Sequence, residues 1–160
     1  MYSVKNFLLL GVVLVFYSGC WSGEFLWDDV RAITSNQDVV GDDVSIGQIF
    51  SHDFWGMKLT SSLSHKSWRP LTTLTFRLNT QLLGLNKDWF EIINLALHFC
   101  VTLLVQKLGQ VLFESKTIGF TSALLFAAHP VHTEAVVNSV NRAELLGAFF
   151  WLSSLYCYLR

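Results

Sequence analysis

Apolar and polar positions along this chain alternate in long blocks rather than in the short periods of a soluble domain. Four apolar blocks stand out: residues 7–21, 92–113, 118–128 and 143–159. The second and fourth approach the roughly 20 residues that cross a bilayer as a helix. The third is long enough only if the weakly polar stretch 130–140 continues it. The first is short, with Lys5 before it and Ser18-Gly19-Cys20 after it. It fits either a cleaved signal peptide or a signal anchor, and the anchor is preferred because the preceding tail is minimal and Trp21 suits an interface. Between the first two blocks, Pro70 is placed to open a helix, Leu71, Leu74, Leu78 and Leu82 recur at helical spacing, and Gly84 is placed to end it. Thr73, Arg77 and Thr80 take its other side, which predicts an amphipathic helix lying on a membrane face.

The blocks predict an all-α, polytopic membrane protein. Its parts are a first span at 1–21, a long loop at 22–91, and further spans across 92–160 with a short turn near 129–142. Either reading of the first block exports the long loop to the same side. If that side is luminal, Lys5, Lys107, Lys116 and Arg160 all fall on the cytosolic side, as the positive-inside rule expects for short flanks. Arg31, Lys58, Lys66, Arg69, Arg77 and Lys87 ride in the long loop, which crosses largely regardless of charge.

Composition agrees. The chain is 52% hydrophobic and 14% charged, with thirteen Phe and six Trp, too apolar for an ordinary soluble domain. Net charge is −1 and no basic stripe occurs, so nucleic-acid binding has no support. Cys20, Cys100 and Cys157 form no disulfide framework.

The candidate chemistry gathers in polar blocks. Asp28-Asp29 opens the long loop just after the first apolar block, where two carboxylates at a lipid–water boundary are costly unless they act on something. Arg31 is a local partner for Asp28, and Asp42-Asp43, in a Gly-flanked stretch, reads as a solvated turn or cap. His65, Lys66 and Arg69 stand at the entrance of the Pro70 helix, where cations beside free helix N–H groups suit a phosphate; an interfacial anchor of Lys, Arg and Trp is the competing reading. In the turn near 129–142, a helix after Pro130 would align Glu134, Asn138 and Arg142 on one face. A Glu134–Arg142 tie between helix ends is the alternative. His129 and His132 lack a third ligand, so no metal is expected. His98 reads as the one strongly polar side chain deep in a span, and no Gly-x-Ser-x-Gly elbow appears.

These blocks resemble a known family. Trp27-Asp28-Asp29, then Asp53-Phe54-Trp55-Gly56, Ser64-His65-Lys66-Ser67-Trp68-Arg69-Pro70-Leu71-Thr72, Leu74-Thr75-Phe76-Arg77-Leu78-Asn79, and His129-Pro130-Val131-His132-Thr133-Glu134-Ala135-Val136 are similar in order and content to the transmembrane and tetratricopeptide-repeat (TMTC) proteins. Asn94, His98 and Arg142-Ala143-Glu144 also fit. The resemblance implies the N-terminal part of a C-type glycosyltransferase in the endoplasmic-reticulum membrane. It would move mannose from dolichyl-phosphate-mannose, a lipid-linked substrate and not a cofactor, to Ser or Thr of cadherin-type domains. Asp28 or Asp29 would be the base. Lys66, Arg69 and Arg142 would hold the donor phosphate, with Glu134 facing the same cavity and His65 and His132 beside the substrate. The family has Tyr where this chain has Trp68, and glycines where it has Asn138 and Asn141. The family's later spans and repeat array are expected to be missing, leaving 160 residues inactive alone. A non-catalytic membrane adaptor is the alternative function, and a transporter ranks third.

Overall fold

The computed structural model describes residues 2–17 and 23–160, so the expectations placed on Ser18, Gly19, Cys20 and Trp21 lie outside the described residues. The fold is all-helical: the described residues hold no strand, only one isolated bridge between His52 and Lys58. Among the described residues eight α-helices follow in order: α1 (Tyr2–Tyr17), α2 (Gln37–Val40), α3 (Ile46–Ile49), α4 (Pro70–Leu83), α5 (Lys87–Leu112), α6 (Lys116–Ala128), α7 (Thr133–Val137) and α8 (Arg142–Tyr158). The chain divides into a loop unit, residues 22–90, and a helical unit, residues 1–21 and 91–160.

The helical unit is built from α1, most of α5, and α6 to α8. Val13, Tyr17, Leu95, Ala127, Val136 and Leu145 form its buried apolar cluster. Its outer surface is equally apolar, with Phe7, Val15, Leu125 and Trp151 more than half exposed. Polar side chains lie inside instead: Asn94, His98, Thr102 and Gln106, four residues apart along one face of α5, are all buried. His98 is therefore one of a polar row rather than the single polar group of the span. The helical unit thus combines an apolar outer surface with a buried polar row beside its apolar cluster.

Among the described residues only α5, at 26 residues, is long and apolar enough to cross a bilayer; α1 and α6 are apolar but shorter. The third apolar block does not continue as a helix past Ala128. His129 precedes Pro130, whose ring disfavours the helical region for the residue before it, and His129 is accordingly extended (φ −72°, ψ 124°). Its Nδ1 accepts the N–H of Val131 at 3.2 Å and starts a 3-10 turn, Pro130–His132. A second break falls at Asn138, also extended, whose Oδ1 accepts the N–H of Val140. Glu134, Asn138 and Arg142 consequently do not share one continuous helical face, which corrects the expectation from their spacing. Proline and asparagine made the sequence locally stable in shorter turns than a single helix needs.

The loop unit carries α4 against α2 and α3. The α4 helix begins at Pro70 and stops at Gly84 (φ 79°), as the two local signals predict. Its Thr72, Thr73, Phe76, Arg77 and Asn79 face inward, while Leu71, Leu78 and Leu82 are exposed. The polar side of this helix is thus the packed one. Arg77 shows how: its guanidinium donates to the main-chain oxygen of Asp38 at 3.2 Å, 39 residues away.

Candidate active site

The acid pair sits where the backbone changes form. Trp27 adopts a left-handed conformation (φ 46°), uncommon for a bulky residue, and the N–H of Asp29 closes the turn onto Leu26 at 2.9 Å. Asp28 is exposed, whereas Asp29 is only 5% exposed. Directly after them the chain winds a π-helical turn, Val30–Thr34, with Ser35 N–H reaching Val30 O across five residues. Such widened turns re-aim the side chains around them and are frequent at functional sites. The guanidinium of Arg31 lies over the ring of Trp55, 5.3 Å from its centroid. That stacking is the contact the loop unit gives Arg31, the residue read from sequence as a partner for Asp28.

Asn36 links this segment to the next. Its Nδ2 donates to Ala32 O (3.1 Å) and Phe54 O (3.2 Å), and its Oδ1 accepts the N–H of Asp38 (2.9 Å). The Asp53-Phe54-Trp55-Gly56 segment is in turn a knot around one carboxylate. Asp53 Oδ1 accepts the N–H groups of Trp55 and Met57, and Oδ2 accepts the Ser64 hydroxyl at 2.5 Å and the His65 N–H at 3.0 Å. Burial opposes the charge of Asp53, but these four hydrogen bonds outweigh it and hold its carboxyl below the usual range. The sequence marks this stretch only as one of the family-like blocks and does not show the carboxylate's part in it.

From this knot emerge the proposed donor-binding side chains. His65, Lys66 and Arg69 are all exposed. Lys66 has a left-handed backbone (φ 62°), and its ammonium donates to the main-chain oxygens of Leu59 and Ser61. Its positive charge therefore closes the 59–61 turn. Arg69 lies over Phe54 at 5.2 Å, just before Pro70. The structure thus gathers the acid-pair segment, Asp53 and the Ser64–Pro70 stretch on one frame, with the ring systems of Phe54 and Trp55 under two arginines. A part-buried Asp38–His52 contact (Oδ1 to Nδ1, 2.8 Å) braces the same unit. Nothing in the spacing of those two residues announced it, because Asp38 and His52 belong to separate turns.

Glu134, His132 and Arg142 belong to the helical unit. Arg142 is fully buried, and its Nε donates to Asn94 Oδ1 at 2.8 Å. Asn94 Nδ2 passes the chain of bonds to Asn138 O at 3.2 Å. A guanidinium so placed is held for orientation, since removing it from water is expensive. Glu134 is exposed at the start of α7. His132 packs against Phe126 (4.2 Å between centroids), with His98 and His129 at 5.3 and 5.9 Å. Burial first, and then the charge of neighbouring His129, push the His132 imidazole below its ordinary value. Among the described residues, no three His, Cys, Asp or Glu side chains gather as a metal site requires.

The chemistry these groups offer is that of a loop unit with one exposed and one buried aspartate, and cations set on a rigid carboxylate knot. No protein-family model matches the chain, and no solved structure does. Curated proteins do. The chain is 42% identical over 161 residues to protein O-mannosyl-transferase F38B6.6 of Caenorhabditis elegans, covering 98% of this chain and 23% of that protein. It is 44% identical to human protein O-mannosyl-transferase TMTC2, covering 92% of this chain and 18% of the relative. With mouse protein O-mannosyl-transferase TMTC4 the identity is 40%, over 94% and 22%. The chain spans about a fifth of the length of these relatives. At this identity over nearly all of its residues, the chain belongs to the TMTC family.

Proposed function

We propose that this chain is the acid-pair portion of a protein O-mannosyltransferase of the endoplasmic-reticulum membrane. The carrying observation is the 40–44% identity, over more than nine-tenths of the chain, to proteins that bear the O-mannosyl-transferase name. The unequal setting of the two aspartates supports a chemical role. In this reading α1, α5, the α6 region and α8 cross the membrane, and residues 22–91 are luminal. The donor is dolichyl-phosphate-mannose, and the acceptor is a Ser or Thr hydroxyl of a cadherin-type domain.

The step balances without a cofactor. The acceptor oxygen bonds to mannose C1, the C1–O bond to phosphate breaks, and dolichyl phosphate departs with the electron pair. Exposed Asp28 takes the hydroxyl proton, and buried Asp29 fixes the turn that presents it. In the loop unit, Lys66 and Arg69 stabilise the charge gathering on phosphate, with His65 beside them. A separate expectation, from the family resemblance alone, gives Arg142, Glu134 and His132 of the helical unit a part in holding the donor.

The test uses the complete protein, with mannose transfer to a recombinant cadherin domain as readout. Asp28→Asn is expected to lower kcat by about 100-fold or more, the usual worth of a positioned base. The double change Asp28→Asn, Asp29→Asn is expected to abolish transfer, and full activity in it sinks the assignment. Residues 1–160 alone are expected to be inactive.

A further inference from the structure

One end of the helical unit carries a feature that the transfer reaction leaves unused. Where α5 stops, α6 starts and α8 ends, a cleft of about 420 Å³ is lined by Lys107, Lys116 and Arg160, together with Gln110, Tyr156 and Glu114. Three cations face one acid there. The sequence used the same cations only to set the direction of the spans.

The cleft has a structural cause. Helices α5 and α6 approach so closely at Gly109 and Gly119 that a Cβ on Gly119 would stand 2.6 Å from the main-chain oxygen of Gln106. The chain must therefore reverse within residues 113–115, with Glu114 in a left-handed conformation (φ 49°). That reversal brings Lys107 and Lys116 to the same opening from different helices. Arg160 arrives from the end of α8, steered by Tyr156: its guanidinium lies 5.8 Å from the ring centroid, and one nitrogen donates to the hydroxyl at 3.1 Å. Ser115 caps α6 by accepting the N–H of Ile118 (3.3 Å), and the start of that helix adds partial positive charge. Lys5 stands at the same end, over the ring of Phe120 at 5.1 Å.

The surroundings select the ligand. Val111, which lines the cleft, is exposed, and so are Leu112, Phe113, Ile118 and Tyr158, which lie within two residues of its lining residues along the chain. A soluble phosphate compound has no use for an apolar rim, whereas a lipid needs both a charged seat and an apolar flank. We propose that this cleft holds the phosphate headgroup of an anionic membrane lipid, its acyl chains lying along that rim. By the orientation of the short flanks this is the cytosolic leaflet, so the lipid is a resident of the bundle and not the luminal sugar donor. The proposal rests on the membrane reading above, but not on the transfer chemistry.

The experiment takes the full-length protein in detergent and titrates phosphatidic acid, phosphatidylcholine or inorganic phosphate, reading bound lipid by native mass spectrometry and the thermal midpoint. Phosphatidic acid is expected to bind and raise the midpoint, and the other two to do neither. Replacing all three cations (Lys107→Gln, Lys116→Gln, Arg160→Gln) is expected to weaken binding on the order of 100-fold, at roughly fivefold per charge. Glu114→Gln keeps the fold and removes the one acid, so it is expected to tighten binding about two- to fivefold and guards against misfolding of the triple variant. Equal binding by wild type and triple variant, equal binding of phosphatidylcholine, a shift reproduced by inorganic phosphate, or no tightening in Glu114→Gln each overturns the assignment. Carbonate extraction keeps the two readings apart. A protein that stays with the membrane but fails these tests has lost only the lipid site. Release into the supernatant removes the membrane reading and the lipid site together.

Discussion

Asp53 in the loop unit and Arg142 in the helical unit are both buried polar side chains, but they are satisfied in opposite ways. Asp53 in the loop unit takes all four of its hydrogen bonds from residues 55–65, so the knot is closed by neighbours in sequence. Arg142 in the helical unit bonds Asn94 across 48 residues, and Asn94 bonds Asn138 across 44. Tyr17 reaches the main chain of His129 across 112. A knot of the first kind forms whenever its turn forms. One of the second kind exists only after helices have packed, and every member of it then depends on that packing.

The contrast ranks the expected effects of substitution. Arg142→Ala is the largest: it removes a fully buried guanidinium and leaves the Asn94 amide oxygen without that donor. We expect a loss of about 3–5 kcal/mol in detergent unfolding. A loss below about 1 kcal/mol removes the claim that the helical unit depends on this long-range tie.

Asp53→Asn comes next. An amide presents one acceptor oxygen in place of two, so at least one of the four donors goes unmet, at a cost of about 1–3 kcal/mol. The pH dependence carries a sign. Because the folded carboxyl titrates below the ordinary value of an aspartate, its contribution is fully present above that ordinary value and is lost as pH falls through the lower, folded one. Wild type should therefore lose part of its stability advantage over Asp53→Asn below about pH 4, which urea or thermal melts at pH 3 and pH 6 will measure. A constant difference contradicts the knot.

Gly119→Ala tests close packing in the helical unit. Alanine gains up to about 1 kcal/mol of helix propensity over glycine. The new Cβ, however, meets backbone at 2.6 Å and the Gln110 side chain at 2.4 Å, and backbone cannot step aside cheaply. A net loss of about 1–3 kcal/mol is expected by thermal unfolding, and a gain means that the two helices can separate without penalty.

The smallest effect is assigned to Leu82→Gln on α4. Leu82 is 77% exposed, so stability in detergent should change by less than about 0.5 kcal/mol. Liposome flotation of the protein bearing this change together with Leu71→Gln and Leu78→Gln should show whether that stripe meets lipid. Unchanged flotation argues that the stripe faces water or another protein surface.

How much of this could be read from residues alone differs between the same two regions. The start and stop of α4 were legible, because Pro70 and Gly84 act through their own backbones. The break at His129 follows from Pro130 by the same local rule, yet helical spacing through Glu134, Asn138 and Arg142 hid it. Asp28-Asp29 stood out by position, but the exposure of one and the burial of the other had no sequence signal. Asp38–His52 and the polar row along α5 were missed. Periodicity marks which residues share a face, and does not say whether that face meets lipid, water or another helix.

By itself, then, the sequence determined the helical character, the block order, the acid pair, the local ends of helices and the family, all of which depend on neighbouring residues or on identity along the chain. Only the tertiary structure decided which side of α4 is packed and where Arg142 anchors. It alone brought Lys107, Lys116 and Arg160 to one cleft. Those outcomes depend on groups tens of residues apart arriving at one place, and packing of whole helices is what brings them there.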